Sequence, residues 1–119
     1  PMEASFVKYG INSFLASKVL WFNQFKDLVD RNDSRYSVVA NAIGYDERIG
    51  KGHTKVPGFD GKKGFGGSCF PKDTSAIANF AGGSLTVLEE VIEANNLYRS
   101  QYMLDDREKE QNVSFNSTI

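Results

Sequence analysis

The chain has 119 residues, 40% of them hydrophobic and 24% charged, which indicates one globular domain rather than a disordered segment. Its formal net charge of −1 leaves no basic surplus for binding nucleic acid. One cysteine excludes an internal disulfide and no apolar run approaches the length of a bilayer span, so we expect a cytoplasmic protein.

The first predicted element extends from Glu3 to about Asp30 and is either one long helix or two helices in line. Apolar residues recur there at helical spacing, and no proline interrupts them. The apolar positions lie on more than one face, which is typical of a helix that is buried on several sides. In a domain this small the pattern indicates a partner chain, and we expect a homodimer.

Lys8 and Asn12 are four residues apart on this helix and therefore share one face. From spacing alone, the simpler interpretation is a lysine that lays its stem on apolar surface beside a surface amide. The alternative interpretation is a polar pair that points into a site.

A second, shorter helix is predicted from Arg35 to Ile43. Ser34 has the residue type of its cap, and Gly44 that of its end. Arg48, in the turn that follows, is most simply a solvated charge.

Two further helices are predicted near the carboxyl end. One runs from Pro71 to Ala81, and the other is capped by Ser84 and extends as far as Arg107. Residues 111–119 are mostly polar and predict a frayed tail. The predicted inward positions of the Pro71–Ala81 helix are Ile77 and Phe80. The fold class is therefore predicted to be all-α, with one domain over residues 1–110.

Residues 51–70 predict a long irregular segment between the helices. Its glycines and aromatics argue for a functional loop rather than a disordered one. His53 is the only histidine, and as a lone loop histidine it is more simply structural than catalytic. The sequence shows no cluster with metal-ligand spacing.

The stretch from Gly58 to Asp73 holds five of the eleven glycines and the only cysteine, Cys69. It leads directly into a helix, so Cys69 is predicted at the helix mouth, where the positive end of the helix stabilises a thiolate. Backbone amides in the same loop are predicted to form a pocket for negative charge. Those amides belong to Gly66, Gly67 and Ser68.

Asp73 follows Cys69 by four residues, one helical turn. It is either a charge that complements the helix dipole or a group that handles protons, and both roles are compatible. A thiol in this setting fits covalent catalysis on an aldehyde or acyl group. The sequence matches neither a Walker-type phosphate loop nor the dinucleotide fingerprint.

Four stretches occur in a fixed order along the chain. They are KYGINSFLA at 8–16, IGYDERIG at 43–50, HTKVPG at 53–58 and GFGGSCFPKD at 64–73. The last resembles the active-site signature of the UDP-glucose/GDP-mannose dehydrogenase family, and the first resembles the central-helix motif of the same family. The resemblance extends from about Glu3 to Leu97, which is that family's central domain almost entire.

Enzymes of that family oxidise the C6 alcohol of a nucleotide sugar to a carboxylate with NAD as cofactor. The resemblance implies that Cys69 is the nucleophile that holds the aldehyde and then the thioester. It implies that Lys8 and Asn12 stabilise the oxyanion at C6 and position water, and that Asp73 assists proton transfer.

The resemblance also implies contacts with a substrate such as UDP-glucose. Arg48 would reach across a dimer interface to the partner's substrate, and Lys55 or His53 would line the same pocket. The loop residues that would contact the sugar are Phe65, Gly66 and Gly67.

Two interpretations of the whole chain stay open at this point. The family's full enzyme adds an NAD-binding domain and a nucleotide-binding domain, which these residues do not match, so we expect the chain alone not to turn over. Either it is the central domain of such an enzyme, as part of a longer chain or together with a separately encoded NAD-binding domain, or it is a stand-alone module for dimerisation or sugar-nucleotide binding.

Overall fold

A computed structural model describes residues 1–115, and five α-helices occur in this part of the chain. They are α1 (Met2–Arg31), α2 (Tyr36–Gly44), α3 (Cys69–Ala81), α4 (Thr86–Arg99) and α5 (Asp106–Glu110). The described residues form no β-strand, so the all-α prediction is confirmed. Within the same residues, no helix combines the length and the apolar character needed to cross a membrane.

Helix α1 is the central element of the domain, and α2, α3 and α4 all pack against it. Its 30 residues form one long helix, the first of the two predicted alternatives. One apolar cluster joins it to α2 and the following loop through Phe22, Val29, Tyr36, Ala40 and Val56. A second cluster joins it to residues 64–68, here called the glycine loop, through Ala16, Leu20 and Phe65.

Helix α1 also carries large apolar side chains on its outer face. Val7 is 61% exposed, Ile11 54%, Phe14 69% and Trp21 55%. The apolar residues of α1 therefore do lie on more than one face, and those of the outer face are left unburied by this single chain.

Helix boundaries differ from the prediction at the start of α3 and at the end of α4. Helix α3 begins at Cys69, so Pro71 is its third residue, whereas its last residue is Ala81, as predicted, followed by the left-handed Gly82 (φ 60°). The last long helix does not reach Arg107. It ends at Arg99, and α5 is a separate helix with Asp105 as its cap.

Both predicted serine caps are wrong. Arg35 and Leu85 occupy the cap positions of α2 and α4, and neither contributes a side-chain cap hydrogen bond. The Ser34 hydroxyl donates to the Asn32 carbonyl. The Ser84 hydroxyl donates to the carbonyl of Ala81. Both serines therefore satisfy carbonyls of the preceding turn instead of amides of the next helix.

Gly44 does not end α2 by a left-handed turn. It is the last residue of the helix, and Tyr45 after it keeps a right-handed conformation. A Cβ built on Gly44 would lie 2.7 Å from Cγ of Lys51. This glycine is therefore explained by the close approach of the lysine.

Two side chains depart from their predicted environments. Phe80, predicted inward, is 68% exposed, and its ring centroid lies 6.2 Å from that of Phe6 on α1. Phe115, in the segment predicted to fray, is only 6% exposed. The described part of the predicted tail therefore folds back onto the domain, and residues 116–119 lie outside the described residues.

A polar cluster holds α1, α4 and the irregular loop together. The Tyr98 hydroxyl donates to Oδ2 of Asp27 at 2.5 Å, and Nζ of Lys63 donates to Oδ1 at 3.0 Å. Burial alone would raise the pKa of Asp27, but these hydrogen bonds outweigh it and hold the pKa below its ordinary value.

We expect Asp27→Asn to weaken the fold at neutral pH by about 1 kcal/mol, because a partly exposed charged hydrogen-bond acceptor is lost. A carboxyl with a lowered folded-state pKa stabilises above its ordinary pKa of 3.8 and loses that contribution as pH falls through the lowered value. Urea unfolding as a function of pH should therefore show a smaller acid-side loss of stability in the variant than in the wild type.

Asp30→Asn is the matched control, because Asp30 is an exposed carboxylate of the same helix, paired with Lys26 one turn earlier. Its unfolding free energy should change by no more than about 0.5 kcal/mol. Equal effects of the two variants would contradict a special role for the Asp27 cluster.

Candidate active site

Cys69 is the first residue of α3, and its side chain is exposed. The sulfur lies 3.9 Å from the hydroxyl oxygen of Ser68. The predicted position at a helix mouth is therefore confirmed, and the thiol is exposed rather than buried in the apolar interior.

Asn12, from the stretch at 8–16, and Asp73, from the stretch at 64–73, are in direct contact in the folded chain. The Asn12 amide nitrogen donates to Oδ2 of Asp73 at 2.6 Å, which joins α1 to α3. Asp73 is only 4% exposed. Because Asp73 is one helical turn after Cys69, the Asn12 side chain lies on the same side of α3 as the thiol. Asp73 therefore does more than complement the helix dipole, and it lies beyond the first turn.

Lys8 precedes Asn12 by one turn on the same face of α1 and is exposed. Its ammonium lies 5.4 Å from the ring centroid of its neighbour Tyr9. Among the described residues, no hydrogen bond joins Lys8 to the Asn12–Asp73 pair.

The backbone of the glycine loop is hydrogen-bonded to the side-chain amides of two buried asparagines. The Gly64 amide donates to Oδ1 of Asn23 on α1 at 2.9 Å. The Phe65 amide donates to Oδ1 of Asn95 on α4 at 2.7 Å, and the Asn95 amide donates back to the Phe65 carbonyl at 3.0 Å. Both asparagines are 1% exposed, so the loop backbone exchanges its water contacts for side-chain partners.

The prediction that three loop amides form a pocket for negative charge is wrong for one of them, Gly67. The Gly67 amide donates to Oε2 of Glu108 at 2.9 Å, so it is not available to an oxyanion. Gly67 has a φ of 77°, which a glycine adopts without strain.

Gly66 is explained by close approach rather than by its backbone angles. A Cβ on Gly66 would lie 2.3 Å from Nη1 of Arg99 and 2.4 Å from Oε2 of Glu108. The loop therefore lies directly against a buried ion pair.

Arg99 is the centre of that buried group and is 3% exposed. It donates from Nη1 to Oδ2 of Asp60 at 2.8 Å and from Nη2 to the Gly64 carbonyl at 3.1 Å. Oε2 of Glu108 lies 3.7 Å from the same Nη1. Burial acts to raise the pKa of Asp60, but the hydrogen bond from Arg99 outweighs it and the pKa is lowered.

The sequence prediction missed the residues that hold the loop, although two of them left a signal. Asn95 interrupts the apolar period of α4, and a polar residue on a buried face needs a specific partner. Asp105 and Glu108 have the spacing of a capping box, and the structure contains both of its hydrogen bonds. The full set of holding residues is Asn23, Asn95, Arg99 and Glu108.

The remaining predicted substrate contacts differ in how close they lie to Cys69. The His53 ring centroid is 5.9 Å from that of Phe70, the neighbour of Cys69, so His53 lies beside the mouth of α3. Lys55 is exposed on the same loop.

Arg48 lies on an exposed turn after α2, with 89% of its side chain accessible. Its Nε and Nη2 donate to the two carboxylate oxygens of Asp46, at 3.0 and 2.7 Å. These bonds lower the pKa of Asp46. Arg48 therefore points outward and is not brought to Cys69 within one chain.

Together, these groups offer a nucleophile with an acid–base neighbour. An exposed thiol at a helix mouth lies near a buried carboxylate that an amide orients, which suits covalent attack on a carbonyl followed by proton transfer. In the described part of the chain, no three metal-ligating side chains come together.

Comparison with known proteins gives a consistent result. The model of the "UDP-glucose/GDP-mannose dehydrogenase family, central domain" matches residues 2–97. The UDP-glucose 6-dehydrogenase TuaD of Bacillus subtilis is 42% identical over 100 residues, which cover 82% of this chain and 21% of the relative. YwqF of the same organism, also named a UDP-glucose 6-dehydrogenase, is 37% identical over 108 residues, or 88% of this chain and 23% of the relative.

A UDP-glucose 6-dehydrogenase of Rickettsia typhi is 34% identical over 99 residues, or 81% of this chain and 22% of the relative. The chain thus spans little more than a fifth of the length of these relatives. The matched range includes α1, the glycine loop, Cys69 and most of α4. The chain belongs to the UDP-glucose/GDP-mannose dehydrogenase family and corresponds to its central domain.

Proposed function

We propose that the chain is the substrate-contacting part of a nucleotide-sugar 6-dehydrogenase in which Cys69 bonds covalently to C6 of the sugar. The observation that carries this proposal is the Asn12–Asp73 hydrogen bond, one helical turn from an exposed thiol. A lone exposed cysteine would carry little weight, but a thiol beside an oriented, buried carboxylate has the groups that covalent catalysis needs.

The thiol acts on the C6 aldehyde. The Cys69 sulfur bonds to the carbonyl carbon, the carbon–oxygen double bond becomes a single bond, and the thiol proton passes to that oxygen. This gives a thiohemiacetal. After its oxidation to a thioester, water attacks the carbonyl carbon, the carbon–sulfur bond breaks, and a carboxylate and the free thiol are released.

Asn12, Lys8 and Asp73 serve these two additions. Each addition places negative charge on the C6 oxygen, and an amide and an ammonium that share one face of α1 are suited to stabilise it. Asp73 accepts a proton from the attacking water, and the hydrogen bond from Asn12 fixes its orientation.

The oxidation of the C6 alcohol to the aldehyde and that of the thiohemiacetal to the thioester each require a hydride acceptor, which the family resemblance identifies as NAD. The described residues form five helices and no strand, so they lack the strand–turn–helix unit that binds dinucleotides and do not fit this cofactor. The steps assigned to this chain are therefore formation of the thiohemiacetal, between the two hydride transfers, and hydrolysis of the thioester after the second.

The substrate is proposed to be UDP-glucose, because the relatives above are named UDP-glucose 6-dehydrogenases. His53, Lys55 and the loop residues 65–67 are proposed to contact it. His53 is supported by its ring contact at the mouth of α3.

We propose that the chain is a homodimer in the cytoplasm. The exposed apolar face of α1 supports the dimer, because large apolar side chains at this density are costly in water. Arg48, which points outward on its turn, is then suited to reach a partner's substrate. The same apolar face would also serve a non-catalytic dimerisation module, and the tests below separate that second candidate from the first.

We expect UDP-glucose to bind and to protect Cys69. Calorimetry with UDP-glucose, UDP-glucuronate and GDP-mannose should give the largest heat with UDP-glucose. A saturating concentration should slow alkylation of Cys69 by about tenfold, because a bound sugar covers the thiol. Asn12→Ala should reduce this protection, whereas Asn41→Ala, an exposed asparagine of α2, should not. A chain that shows neither heat nor protection would be a dimerisation module only.

Cys69 should react with iodoacetamide faster than glutathione at neutral pH. The positive end of α3 stabilises the thiolate, and its usual strength corresponds to a rate ratio of about two to five. The rate can be followed by intact mass, since no other cysteine is present. The same chain unfolded in urea is the control and should match glutathione. A native rate no higher than the unfolded one would reject an activated thiol.

Light scattering at micromolar concentration should give twice the chain mass of 13.2 kDa. Phe14→Asp should shift the particle to a monomer, because it places a charge in the apolar face of α1. Phe59→Asp is the matched control, since Phe59 is fully exposed and belongs to the irregular loop and not to α1. A wild-type monomer would contradict the proposed dimer without affecting the thiol chemistry.

A further inference from the structure

Glu108 makes two different hydrogen bonds with its two carboxylate oxygens. Oε1 accepts from the amide of Asp105 at 2.9 Å and closes the capping box of α5. Oε2 accepts from the amide of Gly67 at 2.9 Å, across 41 residues of sequence. Glu108 is 1% exposed. One buried carboxylate therefore ties the short helix α5 to the glycine loop.

Arg99 makes this buried carboxylate possible. Its Nη1 is 3.7 Å from Oε2 of Glu108, and its Nη2 donates to the Gly64 carbonyl at 3.1 Å. A buried carboxylate without a cation would be strongly unfavourable. The pair holds the loop at two points, one by a donor and one by an acceptor.

The second of these points lies close to the thiol. Gly67 is two residues before Cys69, and its φ of 77° turns the chain into the first turn of α3. Fixing the Gly67 amide therefore limits where the chain enters the helix and where the sulfur lies. Ser68, between them, has no side-chain cap bond to α3 that would fix this entry.

We propose that Glu108, supported by Arg99, is a positioning residue for Cys69. It holds the Gly67 amide so that the chain enters α3 with the sulfur at the first helical residue. Neither residue is among those that the catalytic motifs implied, and both follow the family-matched residues 2–97. The catalytic significance of this positioning rests on the proposed role of Cys69 as nucleophile.

The test compares Glu108→Ala with Glu108→Gln in the full 119-residue chain. Both variants remove the same charge, but only the glutamine keeps an oxygen that can accept from the Gly67 amide. The difference between them therefore isolates the hydrogen bond from the charge. Glu110→Gln is the matched control, because Glu110 is an exposed carboxylate of the same helix.

Two measurements report on the loop rather than on overall stability. Hydrogen exchange of the Gly67 amide should become about tenfold faster or more in Glu108→Ala, because a hydrogen bond to a charged group is lost. The rate of Cys69 alkylation, measured from pH 6 to pH 10, should in that variant follow the pH profile of glutathione. Glu108→Gln should recover part of both effects, and Glu110→Gln should match the wild type.

The proposal is overturned if Glu108→Ala is folded by circular dichroism yet keeps the wild-type exchange of Gly67 and the wild-type pH profile of Cys69. If the alanine variant does not fold, the isosteric glutamine variant decides. In that variant, Gly67 exchange faster than in the wild type together with a wild-type pH profile of Cys69 would show a purely structural role.

Neither readout uses a nucleotide sugar, so failure of the positioning role is distinguishable from failure of the proposed function. If Glu108→Ala alters Cys69 but UDP-glucose neither binds nor protects, the positioning stands and the dehydrogenase role is rejected. The reverse result rejects the positioning alone.

Discussion

Hydrogen bonds from buried side chains to the backbone of the glycine loop are the constraint on which this site depends. The loop has no regular secondary structure, so each buried amide and carbonyl needs a partner from elsewhere. Asn23 of α1, Asn95 of α4 and Glu108 of α5 accept from the amides of Gly64, Phe65 and Gly67, respectively. The backbone that leads into Cys69 is therefore held by side chains of three different helices.

Helix α1 combines three tasks that smaller proteins often divide among several elements. Its middle buries Leu20 against the glycine loop, its earlier turns present Asn12 to Asp73, and its outer face leaves apolar side chains such as Phe14 uncovered. Because one helix does all three, the exposed apolar face and the Asn12–Asp73 hydrogen bond belong to the same element. A long helix without a proline or a strong kink is the element that permits this.

Sequence reasoning predicted the features that depend on local pattern. Helical periodicity located α1, and the run of glycines before Cys69 predicted a loop that leads into a helix, which is α3. The partners of the loop could not be predicted, because Gly67 and Glu108 are separated by 41 residues and nothing local selects that pairing. Caps failed for a similar reason: a serine hydroxyl such as that of Ser34 has several backbone partners within reach, and only the folded chain decides among them.

The space beside Gly66 is filled by the side chains of Arg99 and Glu108, which are far from Gly66 in the sequence. Any side chain there would occupy the volume of the Arg99 guanidinium and the Glu108 carboxylate. A homologue can therefore acquire a larger residue at the loop position only if the cation is shortened or withdrawn, and it must then neutralise or expose the acid as well. We therefore expect positions 66, 99 and 108 to vary together among homologues. A homologue that keeps only some of Gly66, Arg99 and Glu108 should differ from this chain in the position of the thiol.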